Sequence, residues 1–264
     1  MMVNTPIIDS HYHICRREYK VSSTNNFLCV EKPDNEIIND MQIANISKSI
    51  VFGMPSLDYD LSKINEYVLN LFNKYPDNII PFAILEENIN VKDWIKKGVK
   101  GFKEHTFGLK IQKNNKGEDI LASETRKNNY KIIADNNLPL LSHFGQNFFE
   151  RIMDIVEYVP DINIIVAHSG YDFINDKINE NNLKSLTKYD NIYFDISAIK
   201  NIEIIKNIFR ITGPDKVVWG SDFPYETQEL SLKKLFSMNS FSKCDLEKLL
   251  YTNILKLLNK EKVN

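Results

Sequence analysis

A short apolar run near the start of the chain, Ile7–His13 with the sequence IIDSHYH, ends in two histidines that are one residue apart. Successive side chains of a β-strand point to opposite faces, so this segment predicts that His11 and His13 share a face, with Asp9 beneath them. A His-x-His pair is a weak motif by itself. Two converging imidazoles suit a metal site, but a half-exposed strand can also satisfy both rings with backbone groups and water. The rest of the chain decides between these interpretations.

This segment is the first of eight apolar, β-rich runs, and helical patterns separate them. The predicted strands are Pro6–His13, Ser47–Met54, Ile79–Leu85, Val99–His105, Leu138–Phe144, Ile162–His168, Ile192–Ala198 and Lys216–Asp222. The predicted helices are Asp34–Ala44, Leu61–Lys74, Val91–Lys97, Thr125–Asn136, Phe148–Tyr158, a stretch around Phe173–Thr187, Ile202–Ile211, Leu230–Met238 and Lys243–Leu258. Eight alternations of strand and helix predict an α/β fold of the (β/α)8 TIM-barrel type, whose usual size of about 250 residues matches this chain. Because no linker interrupts the pattern, we expect a single domain, 1–264.

Two of the predicted connections are longer than an ordinary loop. They are Ile14–Pro33 after the first strand and Thr106–Glu124 after the fourth. Both lie on the face where strands end, which is where barrel enzymes build their active sites. We interpret them as candidate lids or substrate walls, and surface padding is the alternative.

Composition narrows the class of partner and the compartment. The chain has a formal net charge of −2 with lysines scattered among acids, so no basic face for nucleic acid or an anionic membrane is expected. No window approaches the roughly 20 apolar residues of a membrane span. We therefore expect a small-molecule substrate, and the sequence is compatible with a homo-oligomer.

The cysteines indicate the cellular compartment. There are three of them, Cys15, Cys29 and Cys244, and they lack Cys-x-x-Cys spacing. This odd number and this spacing favour a reducing cytoplasm and a buried thiol at Cys15 over a disulfide framework.

All five histidines fall at the carboxyl ends of predicted strands. His11 and His13 end the first strand, His105 the fourth, His143 the fifth and His168 the sixth, and Asp222 joins them at the end of the eighth. The carboxyl ends of barrel strands meet at one face, so this segregation predicts a metal site. Neutral imidazole and carboxylate suit zinc, and iron, manganese or cobalt bind the same set. Alternation predicts that eight polar residues face into the barrel, namely His11, His13, Lys103, His105, His143, His168, Asp195 and Asp222, whereas Glu104 and Ser221 face the helices.

Five segments carry a resemblance to a known family. In chain order they are IIDSHYH (7–13), GFKEH (101–105), LPLLSHFG (138–145), IIVAHSG (164–170) and VVWGSDFPY (217–225). Together they resemble the amidohydrolase superfamily, in particular the amidohydrolase-related branch that includes aminocarboxymuconate semialdehyde decarboxylase. The resemblance implies one divalent metal held by His11, His13, His143 and Asp222, with His168 acting on the substrate. The chain departs from the branch at Thr106 and Tyr171, where proline and a second glycine are frequent.

This ligand set predicts a metal-dependent hydrolase with one Zn²⁺ per chain, acting on an amide, ester or lactone. A Lewis-acid metal makes hydroxide available at neutral pH. We expect Asp222 to take the proton from the water and pass it to the leaving group, while His168 polarises the carbonyl. Asp222 as a purely structural turn residue is the alternative. Two other functions are alternatives. One is non-oxidative decarboxylation. The other is a catalytically inactive metabolite-binding barrel, but none of the five metal-binding and catalytic positions has lost its histidine or aspartate, which argues against it.

Five further residues have two interpretations each. Lys103 is either a carboxylated bridge to a second metal or, as we favour, an electrostatic partner for substrate. His105 either contacts substrate or supports the metal ligands. Asp9 either orients a ligand imidazole or caps the strand start, and Asp195 has the same ambiguity. Arg16 either clamps a substrate carboxylate or lies on a solvated face.

Overall fold

The computed structural model of the chain describes residues 5–22, 29–56, 58–86, 89–105, 123–144 and 148–258. The predicted connection Ile14–Pro33 is therefore described in part, and residues 106–122 of the second long connection lie outside the described residues. Among the helices that are described, none is both long enough and apolar enough to cross a membrane.

Eight parallel strands pair in chain order from β1 to β8. They are β1 (Ile8–Ile14), β2 (Lys48–Gly53), β3 (Ile79–Ile84), β4 (Gly101–His105), β5 (Pro139–His143), β6 (Asn163–Val166), β7 (Ile192–Asp195) and β8 (Val217–Val218). Backbone hydrogen bonds join the last strand region to the first, among them Ser10 N to Trp219 O at 3.1 Å and Asp222 N to His11 O at 2.7 Å. The predicted (β/α)8 barrel is confirmed, with strands shorter than predicted at several ends.

Helices alternate with these strands. They are α1 (Asp34–Ile43), α2 (Leu61–Lys74), α3 (Val91–Lys97), α4 (Glu124–Asp135), α5 (Phe148–Tyr158), α6 (Glu180–Leu186), α7 (Ile202–Thr212), α8 (Gln228–Ser237), α9 (Lys243–Glu247) and α10 (Asn253–Leu258), with a π-helical turn Lys248–Thr252 and 3₁₀ turns Arg17–Tyr19 and Ala167–Gly170. The predicted helix around Phe173–Thr187 was too long. Asn179 caps α6 by accepting from Asn182 N at 3.1 Å, and the preceding segment forms an antiparallel bridge between Asp172 and Lys177.

The core has an inner and an outer layer. Inward side chains of the strands, such as Ile50, Phe82 and Leu141, form one buried cluster with Ile254 and Leu257 of α10. A larger cluster packs the outer faces of the strands against the helices. Because the interior is filled with apolar side chains in this way, the polar side chains at the strand ends form a separate layer.

A bulge in β1 changes which residues face inward. Asp9 pairs with Ser49 and Tyr12 with Val51, so the first strand advances by three residues where its partner advances by two. This extra residue breaks the period of two. Asp9 therefore lies on the helix side, where Gln228 of α8 donates to it at 2.8 Å, and its predicted position beneath the histidines was wrong.

The prediction of a buried thiol at Cys15 was also wrong. The structure pairs Cys15 with Cys29 in a disulfide, and Cys244 is free and exposed. The chain after β1 folds back through the 3₁₀ turn Arg17–Tyr19, and the two Cα atoms lie 5.9 Å apart, in the usual range for a disulfide. The number and spacing of the cysteines could not reveal this return of the chain.

Candidate metal centre

Three donor atoms meet at the carboxyl end of the barrel. His11 Nε2, His13 Nε2 and Asp222 Oδ1 lie 3.2 Å from one another, and all three residues are buried. Atoms with this spacing surround a point about 1.9 Å from each, which is close to the about 2.0–2.1 Å of zinc–nitrogen bonds, so these three residues would hold a divalent ion. The residues present therefore fit a divalent metal ion.

The protonation of these groups agrees with that fit. Burial lowers the pKa of His13 to about 3 and holds the pKa of His11 well below its usual value, so both imidazoles are neutral, as metal ligands must be. Burial raises the pKa of Asp222 to about 7. A cation among these atoms would favour the ionised carboxylate and offset the cost of its burial.

The other ring nitrogen, Nδ1, of both His11 and His13 lies next to a hydrogen-bond acceptor on the side away from the three donors. Asp195, at the end of β7, accepts from His11 Nδ1 at 2.8 Å, and Gly53 O lies 3.3 Å from His13 Nδ1. Ser197 donates its hydroxyl to Asp195 at 2.5 Å and its backbone N–H at 2.9 Å. When Nδ1 carries the proton, the lone pair of Nε2 points toward the other donors. The structure thus places Asp195, rather than Asp9, against the imidazole of His11.

His168 lies two residues after the end of its strand, in a 3₁₀ turn. β6 ends at Val166, and His168 adopts φ 53° within the 3₁₀ turn Ala167–Gly170, a left-handed conformation that is costly for a residue with a side chain. Ser197 O accepts from His168 Nδ1 at 3.0 Å, and Asp195 accepts from its backbone N–H at 3.4 Å. These bonds direct Nε2 toward Asp222 Oδ2, 3.9 Å away. Burial lowers the pKa of His168, against the opposing charge of Asp222.

The remaining two histidines stand side by side. His105 and His143 are paired in register at the ends of β4 and β5, with ring centroids 4.2 Å apart. The ring of His143 also lies 4.7 Å from that of His168. His143 is thus next to the cluster, but its nitrogen atoms are not among the three donors that the structure brings within 4.8 Å of one another.

Three further residues that the sequence singled out do not line the cavity beside the cluster: Lys103, Asp9 and Arg16. Lys103 is fully buried with Nζ 3.4 Å from His11 Nε2, and burial lowers its pKa to about 7. Asp9 accepts from the backbone N–H of His11 at 3.0 Å and of Ser221 at 2.9 Å, which ties β1 to the β8 region. Arg16 donates to Asp34 at 2.6 Å and to Tyr67. None of these three side chains lines the cavity described next.

A cavity of about 500 Å³ opens beside the cluster. Four of the five histidines and Asp222 line it, and the exception, His11, is completely buried. Sequence analysis missed its other walls, which include Tyr171, Phe173 and Tyr225. The available signal was position, since each of these aromatic residues lies three to five residues after His168 or Asp222 in the sequence.

Comparison with known proteins gives a family and a set of similar folds. The amidohydrolase family model matches residues 60–260, more than half of the chain, including His143, His168 and Asp222. None of the curated protein sequences compared matches this chain.

Three solved structures illustrate the similarity of fold. A probable 2-pyrone-4,6-dicarboxylic acid hydrolase from Acinetobacter baumannii with citric acid bound has a TM-score of 0.75 at 18% identity, over 96% of this chain and 98% of that one. The 2,6-dihydroxybenzoate decarboxylase from Rhizobium has a TM-score of 0.74 at 13% identity, over 96% and 98%. A dihydroxybenzoic acid decarboxylase from Polaromonas sp. JS666 with bound manganese and 2-nitroresorcinol has a TM-score of 0.76 at 13% identity, over 96% and 97%.

The barrel, the histidines and carboxylate at its strand ends, and the family match agree with one another. The predicted resemblance is confirmed by this match, which covers 60–260 and contains four of the five segments, all except the one with His11 and His13. The chain belongs to the amidohydrolase family.

Proposed function

We propose that this protein is a metal-dependent hydrolase that acts on a small carbonyl compound, an amide, an ester or a lactone. The observation that carries the proposal is the buried group of three donors, His11, His13 and Asp222, 3.2 Å apart beside a cavity. His143 completes the proposed ligand set. A divalent ion here, zinc in our proposal, would lower the pKa of bound water toward about 7 and polarise a carbonyl oxygen.

Asp222 and His168 handle the protons in this proposal. Asp222 Oδ1 faces the two histidines of β1, and its Oδ2 faces His168. Asp222 takes a proton from the attacking water and later delivers it to the leaving group. His168 has its Nδ1 proton committed to Ser197 O, so it donates to the substrate carbonyl only after Nε2 is protonated as well. The carboxylate of Asp222, 3.9 Å away, favours uptake of this second proton from solvent, because its negative charge stabilises the protonated imidazole.

A single ion is favoured over two. A second group of three potential donors, His11, His168 and Asp195, also lies close together. Its members are already hydrogen-bonded to one another or to Ser197, which leaves this group satisfied without a cation. Lys103 would have to be carboxylated to bridge two ions, and we assign it instead an electrostatic role beside His11.

Non-oxidative decarboxylation is the second candidate. It is favoured by the names of two proteins of similar fold, which are decarboxylases of dihydroxybenzoic acids, one of them with bound manganese. Both functions use a divalent metal and a small-molecule substrate, so metal content does not separate them. Release of carbon dioxide, as opposed to consumption of water, does.

The test begins with protein purified without added metal. Elemental analysis should give one equivalent of a divalent metal per chain, and a screen of amides, esters, lactones and carboxylated aromatic compounds should give turnover. Two equivalents with Lys103 carboxylated would contradict the single ion, and absence of metal would favour an inactive binding barrel.

Substitution of His168 separates a catalytic group from a ligand. His168→Ala should keep metal near the wild-type level while turnover falls by about 10²–10⁴-fold, the usual contribution of a positioned proton-transfer group. His143→Ala serves as the control, because it should lose metal. Loss of metal from His168→Ala in proportion to activity would overturn this assignment.

A cytoplasmic location is also part of the proposal. The disulfide between Cys15 and Cys29 in the structure counts against this location, because the cytoplasm keeps most cysteines reduced and a cytoplasmic chain would have both as thiols. Thiol titration of protein from rapidly quenched cells should then count three thiols per chain. A count of one would contradict the location.

A further inference from the structure

One positively charged side chain that lines the cavity, Lys200, has no acidic partner among the described residues. Among the described residues that line it, Lys200 is the only lysine or arginine, and the acids are Asp222 and Glu226. Glu226 accepts from Lys234 at 2.6 Å and so has its own cation. Lys200 has no ion pair with any acid in the described part of the chain. Its ammonium group is therefore available to a ligand in the cavity.

The backbone around Lys200 is anchored on both sides. Ile199 is completely buried, and its N–H donates to Ser197 O at 2.8 Å. Asn201 caps α7 by accepting from Glu203 N at 3.1 Å, and its amide donates to Asp176 at 2.9 Å. Lys200 thus projects from a segment that is held in place, and Ser197 in this segment also holds His168. The element that orients His168 is the one that carries the cation.

Aromatic side chains line the same cavity. Phe173 and Tyr225 are each 51% exposed, although both are large and largely apolar. Phe173 packs edge-on against His168, with ring centroids 5.2 Å apart, and against Tyr171 at 4.8 Å. A flat ligand between the histidines and these rings would cover apolar surface that is otherwise in water.

We propose that Lys200 binds a negatively charged group of the substrate, a carboxylate, at a distance from the carbonyl that reacts. The substrate is then a small planar compound with an anionic end at Lys200 and its reacting end at His11, His13 and Asp222. This inference rests on the proposed function, because it assigns the reacting end to the candidate metal centre. It adds a residue that decides which substrates enter.

Two ligands that differ by a single carboxylate test the assignment. Benzoate and isophthalate have the same ring, and isophthalate has a second carboxylate at the 3-position. Titration calorimetry on the metal-loaded protein should give a dissociation constant for isophthalate that is about 10-fold lower than for benzoate, of which about 2-fold is statistical, since isophthalate has two identical carboxylates, and about 5-fold is the upper range for an exposed ion pair. This ratio should fall toward the statistical factor of about two as the salt concentration is raised, because exposed charges are screened.

Variants of two lysines identify the source of the preference. Lys200→Met should lower the preference for isophthalate to the statistical factor of about two and leave benzoate binding unchanged, whereas Lys200→Arg should retain the full preference. Lys206→Met is the matched control: Lys206 is a lysine of α7 that pairs with Glu203 and does not line the cavity, so the preference should persist. An undiminished preference in Lys200→Met, or equal binding of both ligands by the wild type, would overturn the proposal.

The outcome is separable from that of the proposed function. A preference that depends on Lys200 without any turnover would support the anion site and contradict the hydrolase. Turnover of neutral and anionic substrates with the same KM in wild type and Lys200→Met would support the hydrolase and contradict the anion site.

Discussion

Asp195 determines which nitrogen of His11 faces the other donors. Its carboxylate lies 2.8 Å from His11 Nδ1, and burial raises its pKa, although hydrogen bonds from Ser197 and His168 act in the opposite direction. A carboxylate behind a ligand imidazole fixes the tautomer and increases the basicity of the other nitrogen. The chemistry of a metal bound at Nε2 would therefore depend on a residue that does not touch the metal.

Replacing this carboxylate should weaken metal binding without removing a ligand. Asp195→Asn keeps the shape of the side chain but loses the charge opposite His11, so we expect metal affinity to fall about 10–100-fold. Competition with a chromophoric chelator measures it. Asp190→Asn is the control, because that side chain is fully exposed before the same strand. Equal affinity in Asp195→Asn and wild type would contradict the role given to Asp195.

At the scale of elements, the candidate metal centre spans the junction of β1 with the β8 region. His11 and His13 come from β1, and Asp222 follows β8. Few backbone hydrogen bonds cross this junction, and the carboxylate of Asp9 adds bonds from Ser221 and Gln228. The relative position of the two strands therefore sets the spacing of the donors.

The backbone of Gly220 lies close to His11, so a substitution at Gly220 tests whether the donor spacing depends on the junction of β1 with the β8 region. A Cβ atom at Gly220 would lie 2.6 Å from His11 Cβ and 3.0 Å from its backbone N, so alanine must displace His11. We expect Gly220→Ala to cost about 1–3 kcal/mol of stability, as overpacking does, and to lower metal affinity as well. Denaturant unfolding and metal titration measure the two effects.

Gly101→Ala is the matched control for this prediction. Its Cβ would lie 2.3 Å from the Phe82 ring, in the apolar interior of the barrel, so it should destabilise the fold with little effect on metal affinity. If both variants bound metal as the wild type does, the donor spacing would not depend on the junction.

For the whole molecule, barrel closure makes a buried cluster of polar groups that an ion would stabilise. His11 and Asp195 are completely buried, and His13 and Asp222 nearly so. Burial of these groups costs free energy, which a bound ion offsets only in the folded state.

Removal of metal should therefore lower thermal stability. At a free metal concentration of 100 times Kd, binding adds about 2.7 kcal/mol, which for a chain of this size corresponds to a shift in Tm of roughly 5–10 °C. Calorimetry with and without a chelator measures this shift. In His13→Ala the chelator should change Tm much less, and a shift of the same size there would place the stabilising ion elsewhere.

Local pattern was sufficient to predict the barrel. Strand and helix periodicities are properties of neighbouring residues, and strands that carry His13, His105 and His143 at or near their carboxyl ends must bring these residues together once the barrel closes. The helices α2, α3 and α5 were predicted with their observed bounds for the same reason. The outward position of Glu104 also follows from alternation, and Tyr130 of α4 donates to it at 2.8 Å.

Only the tertiary structure decided which groups surround the residues of the candidate metal centre and of the cavity. The bulge that turns Asp9 outward depends on how β1 pairs with β2, and the partner of the His11 ring is 184 residues away along the chain. The left-handed turn at His168 is held by Asp195 and Ser197, from the next strand region. Lys200 and Phe173 meet at one cavity only because separate loops end at the same face of the barrel. Such contacts join distant parts of the chain, and the local periodicity of a sequence contains no information about them.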